Sequence, residues 1–135
     1  MLLHEDKTEK IIQAFYKVYN ELGYGFREKV YENSLAIELQ AMGFKVDQQH
    51  EIRVYYHGRE VGEYQADILV DDLIILEIKA TRHLVEDNEA QLLNYLKATT
   101  FEVGLLLNFG VKPEFKRKAY LNKGKGHLNW TKRPK

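Results

Sequence analysis

The chain has no cysteine, which removes disulfide frameworks, thiolate nucleophiles and Cys-containing zinc sites from consideration and suits a reducing interior. Histidine is sparse and scattered. None of His4, His50, His57, His83 and His127 stands four residues from another, so the helical i, i+4 metal motif is missing. No apolar run approaches the roughly 18 to 20 residues that a spanning helix needs, and the opening "MLLHEDKTEK" turns polar almost at once. A soluble, cytoplasmic protein with no membrane partner is the expectation. Net charge is lacking too, at a formal zero, and gives by itself no reason to invoke a polyanionic partner.

What is present is core material. With 44% hydrophobic and 12% aromatic residues in 135, the chain has enough for one compact domain over residues 1–135 and too little for two. The charge is unevenly spread. Residues 112–135 carry nine bases against Glu114 alone, a balance of +8, which leaves −8 on residues 1–111. Such asymmetry can mark a phosphate-contacting surface, with Lys116, Arg117 and Lys118 as its densest group. On charge alone, the simpler reading is a solvated, partly frayed C-terminal segment.

The apolar pattern alternates between helical and strand periods. Ile11, Ile12, Phe15, Val18, Tyr19 and Leu22 recur at helical spacing and predict a helix over residues 5–22, closed by the glycines of "GYG". Val30, Tyr31, Leu35, Ile37, Leu39 and Met42 predict a second helix over 27–42, ended by Gly43. From Phe44 the period moves towards two, and "EIRVYYHG", "REVGEYQADILV" and "LIILEIKA" read as a three-stranded meander. "EDNEAQLLNYLKAT" predicts a helix with Asp87 or Asn88 as N-cap. "FEVGLLLNFG" is a nearly continuous apolar run, as in a strand covered on both faces. The order is α-α-β-β-β-α-β, with "GHLNW" in the basic segment as a candidate edge strand.

Within the meander, "YQADILVDDLIILEIKA" sets Asp67, Glu77 and Lys79 among aliphatic neighbours, where charge is costly to bury. Glu77 and Lys79 leave one face of their strand, with Cα atoms about 6.6 Å apart. A two-residue loop at Asp71 and Asp72 would set Asp67 opposite Leu76, on the wrong face. A three-residue connection or a bulge sets it opposite Glu77, and this second register is the expectation. Two carboxylates so placed repel unless a cation lies between them. Mg²⁺ answers that need, since it takes oxygen ligands and keeps waters, one of which can be a nucleophile. Lys79 beside that water would orient it, in metal-assisted phosphodiester hydrolysis.

Asp67, nine residues, then Glu77-Ile78-Lys79 resembles the D…(D/E)xK core of the PD-(D/E)XK nuclease superfamily, although Ala66 stands where the name has proline. The element order is similar to its restriction-endonuclease-like fold, an α/β (α+β) mixed sheet flanked by helices. "GFREKVY", with Gly25, Glu28 and Tyr31, reproduces the signature of the small bacterial GxxExxY proteins, and Gln91 and Tyr95 match the QxxxY element of RecB-like nucleases. The resemblance spans about residues 8–110. It implies a nuclease using Mg²⁺, or Mn²⁺ in its place, with Asp67 and Glu77 as metal ligands and Lys79 at the attacking water. It also implies Glu28 as a third acid at the metal and Gln91 as a positioning group.

Plainer readings stand beside these. Glu28 in a first helical turn favours the macrodipole. Glu32, one turn on, reads as solvated, and Tyr31 as a packing residue whose hydroxyl holds its helix against the sheet. Gln91 and Tyr95 share a helical face. Asp71 and Asp72 read as turn residues. Arg82 and His83, beyond the strand of Glu77, are exposed loop residues or phosphate contacts. Nucleic acid is the expected partner, DNA before RNA, and a homodimer would enlarge the small recognition surface. The competing function is a non-catalytic nucleic-acid-binding or protein-interaction module on the same fold. A carboxylate-pair glycosidase leaves Lys79 and the Gln91 helix without a role.

Overall fold

A computed structural model describes residues 2–125 of the chain. Two helices come first, α1 (Glu5–Leu22) and α2 (Glu28–Ala41), followed by strands β1 (Val46–Tyr56), β2 (Arg59–Val70) and β3 (Ile74–Lys79). Helix α3 (Glu86–Lys97) leads to β4 (Val103–Phe109), β5 (Pro113–Ala119) and a short 3-10 turn over Asn122–Lys125. The five strands form one sheet in the order β1-β2-β3-β4-β5. Only β3 and β4 run parallel, and α3 is the crossover that a parallel pair requires.

Each face of the sheet carries its own core. Ile11, Phe15 and Val18 of α1 and Tyr31, Leu35 and Leu39 of α2 pack with Ile68, Ile74, Leu76 and Leu105. On the other face, Leu92, Tyr95 and Leu96 of α3 pack with Ile52, Leu69, Ile75 and Leu106. Strand β4 is buried at every position, as its unbroken apolar run requires. Helix α3 comes so close to it that a Cβ on Gly104 would stand 2.7 Å from Leu92 Cδ1. Burying aliphatic side chains on both faces contributes about 1.5 to 3 kcal/mol each.

The α-α-β-β-β-α-β order of the sequence pattern stands, with three differences. Strand β5 was not expected, because "PEFKRKA" reads first as charge; "GHLNW" lies outside the described residues. The alternation of β5 is nevertheless that of a strand. Phe115 meets Tyr16 of α1 and Arg117 bonds the Leu3 carbonyl at 2.6 Å, while Lys118 pairs with Glu89 of α3 at 2.6 Å. Residues 113–125 are therefore built into the fold, not a frayed tail. The N-cap of α3 is Val85, not Asp87 or Asn88. Asn88 acts from the third helical position, its Oδ1 accepting the Val85 N–H at 3.0 Å. Lastly, Val30 and Ile37 of α2 and Met42 at its C-cap face outwards, and the buried stripe is Tyr31, Glu32, Leu35, Ala36 and Leu39.

Tyr31 explains the turn between α1 and α2. Its hydroxyl donates to the Gly23 carbonyl at 2.6 Å and accepts the Phe26 N–H at 3.2 Å, and its ring stacks on Phe109 of β4 at 4.3 Å. Gly25 sits at φ 112°, a backbone region that side chains rarely adopt. Gly25 and Tyr31 thus shape the link that aims α2 at the sheet. No helix of the described residues is long and apolar enough to cross a membrane.

Candidate active site

Strands β2 and β3 pair as Val70 with Ile74, Leu69 with Ile75 and Ile68 with Leu76. Three residues connect them, and the next pair along this register is Asp67 with Glu77, as the sequence argument required. The ladder changes character there. Glu77 Oε2 accepts the Asp67 N–H at 3.2 Å, and Asp67 Oδ2 accepts the Ile78 N–H at 2.7 Å. Carboxylates thus bridge the strands where main-chain pairing stops.

The alternation of β1 and β2 also reverses at this level. In β1, Val46 packs against the α1–α2 core and Gln48 bonds Glu32 of α2, whereas His50 meets Phe101 and Ile52 joins the α3 core. In β2, Tyr64 meets Tyr95 of α3 and Ala66 joins that core, whereas Ile68 and Val70 face α1 and α2. The reversal falls at Gln49 and Asp67, which lie across from each other between the pairs Gln48–Ile68 and His50–Ala66. Gln49 takes φ 55°, an unfavourable conformation for a side-chain-bearing residue and one that concentrates at functional sites.

Gln49 ties the Asp67 carboxylate to α2. Its Nε2 donates to Glu32 Oε1 at 2.6 Å and lies 3.4 Å from Asp67 Oδ1. Glu32 is 3% exposed and also accepts from Gln48 Nε2 at 2.7 Å and Lys29 Nζ at 3.1 Å. This corrects the reading of Glu32 as solvated: the side chain stands on the buried stripe of α2, where two glutamine amides and an ammonium compensate its charge. Glu28, assigned to the metal from the signature, is exposed at the first position of α2, with no hydrogen bond or ion pair among the described residues.

Glu77 is 6% exposed. Burial first, then the Asp67 charge and the hydrogen bond between the two carboxyl groups, push its pKa up to about 9, and the Lys79 ammonium pulls it down least. Glu77 is therefore a neutral acid at pH 7, which lets it share a proton with Asp67. Lys79 is half-buried and makes no hydrogen bond or ion pair among the described residues. It is a free cation beside a carboxyl pair. Tyr95, on α3, is pushed up to about 12 by burial and by the Glu77 and Asp67 charges, which places its hydroxyl in their field. Gln91 is exposed and donates from Nε2 to Tyr95 Oη at 3.1 Å.

Beyond Lys79, Asn108 of β4 fixes the strand end. It is fully buried opposite Lys79, accepts the Thr81 N–H at 3.0 Å and donates to the Thr81 carbonyl at 2.9 Å. Gly110 lets this loop close, because a Cβ there would lie 2.3 Å from the Thr81 oxygen. Arg82 and His83 remain exposed in it. Asn108 was missed because it sits inside an apolar run; a lone amide in a doubly covered strand is the signal that could have found it.

The basic candidates separate. Arg117 is directed to the α1 side, whereas Lys116 and Lys118 share the α3 side of β5, Lys118 being spent on Glu89. Lys116 is exposed and lies in the row Glu77–Leu106–Lys116, two strands or about 10 Å from the carboxyl pair. Among the described residues, no third His, Asp or Glu joins Asp67 and Glu77 in one metal-binding group. Two carboxylates are an oxygen-only donor set of the kind that fits a hard divalent cation keeping most of its waters.

No curated protein sequence matches this chain. Among solved structures, it is similar to the crystal structure of SSO0001, at 20% identity and a TM-score of 0.54, over 69% of this chain and 50% of that one. The likeness is one of fold, and the chain spans half the length of that structure. The family model of the PD-(D/E)XK nuclease superfamily matches residues 5–118, from the start of α1 to the end of β5. The chain belongs to the PD-(D/E)XK nuclease superfamily.

Proposed function

We propose that this protein is a Mg²⁺-dependent nuclease that hydrolyses phosphodiester bonds, in DNA before RNA, with Mn²⁺ able to replace Mg²⁺. The observation that carries the reading is the Asp67–Glu77 carboxyl pair, Glu77 buried and Asp67 half-buried, with a lysine two residues on that is unpaired among the described residues. Such a pair is costly to keep in a binding module, and a cation relieves the cost. Asp67 and Glu77 would hold the metal, which supplies charge stabilisation at the phosphate and an activated water.

The chain's own groups have distinct tasks. Glu77 must give up its proton to ligate, so the site is primed by deprotonation. Lys79 holds the attacking water and offsets the charge that gathers on the phosphoryl oxygens. Gln49 and Glu32 set the rotamer of Asp67 from behind. This arrangement favours Glu32, acting through Gln49, over Glu28 as the acid of α2 that serves the site. Gln91 and Tyr95 flank the carboxyl pair from α3, where the amide positions either substrate or water. Lys116 and Arg82 are the exposed cations for the phosphate backbone. The finer kinship, with the GxxExxY proteins, rests on Gly25, Glu28 and Tyr31.

The test is an oligonucleotide cleavage assay with Mg²⁺ or Mn²⁺ on DNA and RNA. Wild type should cut, and Lys79→Ala should lose at least about a hundredfold in rate, the scale of one electrostatic stabilising group. Equal rates in the two proteins would remove Lys79 from the chemistry. The absence of cleavage by wild type under any of these conditions would count against the nuclease reading.

A further inference from the structure

Strand β2 pairs with β3 only over residues 68–70, whereas its pairing with β1 continues to Arg59. The β1–β2 hairpin therefore leaves the sheet as a two-stranded arm whose β3-side edge is unpaired among the described residues. The register shift at Val54 and Tyr55 is the kind of irregularity that bends an arm and re-aims its side chains. Beneath the arm lies α3, and the two enclose a groove of about 620 Å³, a size suited to small-molecule-scale ligands.

The groove is not a basic track: Val54, Val61 and Ala90 share its lining with aromatic and amide side chains. Tyr64 stands on the arm 48% exposed, and its ring centroid is 5.6 Å from that of Tyr95. Gln91 and Asn94 offer amides from α3. Gly62 leaves the Tyr64 ring bare, since even a Cβ there would touch it at 3.5 Å. The charged residues in the lining are Asp87 and Lys97, one of each sign. An aromatic face with amide edges and no net charge matches a nucleobase, which stacks on rings and bonds through its edges. A duplex backbone, which needs cations, would find none in excess here.

Position supplies the second argument. Tyr95 lines the groove and packs in one core with Ala66, the neighbour of Asp67, so the groove lies beside the carboxyl pair without being lined by it, whereas Lys116 lies on the opposite flank, along the Glu77–Leu106–Lys116 row. A nucleotide with its phosphate at Asp67 and Glu77 would meet neutral aromatic and amide groups on one side and a cation on the other. We propose that the groove between the β1–β2 arm and α3 receives an unpaired base next to the scissile phosphate, with Tyr64 as its stacking platform. The inference rests on the nuclease reading and adds that the substrate is unpaired, or opened, at the point of cleavage.

The test is fluorescence anisotropy with single-stranded DNA, single-stranded RNA of the same sequence and the matching DNA duplex, with Ca²⁺ replacing Mg²⁺ to hold back cleavage. Wild type, Tyr64→Ala and Tyr64→Phe are compared. A single strand, DNA or RNA, should bind more tightly than the duplex, weaken by about fivefold or more in Tyr64→Ala, and change by less than about twofold in Tyr64→Phe. The proposal is overturned if Tyr64→Ala binds the single strand like wild type, if Tyr64→Phe loses as much as the alanine variant, or if the duplex binds more tightly. Metal-dependent cleavage separates the two readings. Cleavage that persists while Tyr64 proves irrelevant removes the groove alone, and Tyr64-dependent binding without metal-dependent cleavage removes the nuclease reading and, with it, the scissile phosphate beside the groove, leaving only a base-binding site.

Discussion

Replacing Glu77 by glutamine should stabilise the metal-free protein, by an amount set by pH. The carboxyl titrates at 4.5 ordinarily and at about 9 in the folded chain. Between those limits the folded state holds a proton that the unfolded state has released, so stability falls as pH rises through the window. The slope for one such group is about 1.4 kcal/mol per pH unit. At pH 7, some 2.5 units above the ordinary value, the cost reaches roughly 3 kcal/mol. Glutamine mimics the neutral acid: its carbonyl can accept the Asp67 N–H, and its amide can donate to the Asp67 carboxylate. The facing groups, Asp67, Lys79 and Tyr95, are the same in both proteins and largely cancel in the difference. Urea denaturation in chelator at pH 5, 6, 7 and 8 gives that difference directly. The advantage of Glu77→Gln should be small at pH 5 and grow steadily to pH 8. An advantage that stays flat across the series would refute the burial argument for Glu77.

Two further substitutions test how the site is held. Tyr31→Phe removes the hydroxyl that serves Gly23 and Phe26 but keeps the ring on Phe109; it should cost about 1 to 3 kcal/mol in denaturation while metal-dependent cleavage persists. Loss of cleavage in a folded Tyr31→Phe protein would give that hydroxyl a chemical role. Gly110→Ala forces a methyl against the Thr81 carbonyl, and should destabilise by about 1 to 3 kcal/mol and lower cleavage by shifting the end of the Lys79 strand. Wild-type stability in that variant would mean that the loop yields freely.

Much of the fold could be read in the sequence because its signals are local. The stripe from Ile11 to Leu22 defined α1 between the same bounds that the structure gives. The register that sets Asp67 opposite Glu77 is the expected one of two that the loop allows, and the pairing of Val70 with Ile74 agrees with it. Strand β5 was hidden because Lys116, Arg117 and Lys118 read as charge, although Phe115 and Arg117 alternate with Lys116 and Lys118 across the strand. Glu32 was misread because its compensation comes from Gln48 and Gln49, distant in sequence and brought near only by packing of α2 on β1. Glu32 does precede Leu35 and Ala36 by three and four residues, which is the spacing of a buried face. Nothing local announced the left-handed backbone of Gln49, since only the facing strand defines where the alternation reverses. The site was thus legible in its carboxyl pair and illegible in what supports it.

The claim on which the account depends is that Asp67 and Glu77 together form a divalent-cation site. Calorimetric titration of Mn²⁺ into wild type and Asp67→Ala at pH 7, repeated in two buffers of different ionisation enthalpy, tests it most directly. Wild type should bind and release close to one proton, because Glu77 must ionise to ligate, and Asp67→Ala should lose binding. No binding to wild type, or binding that Asp67→Ala leaves intact, would contradict the account and leave the carboxyl pair as a structural hydrogen bond between two strands.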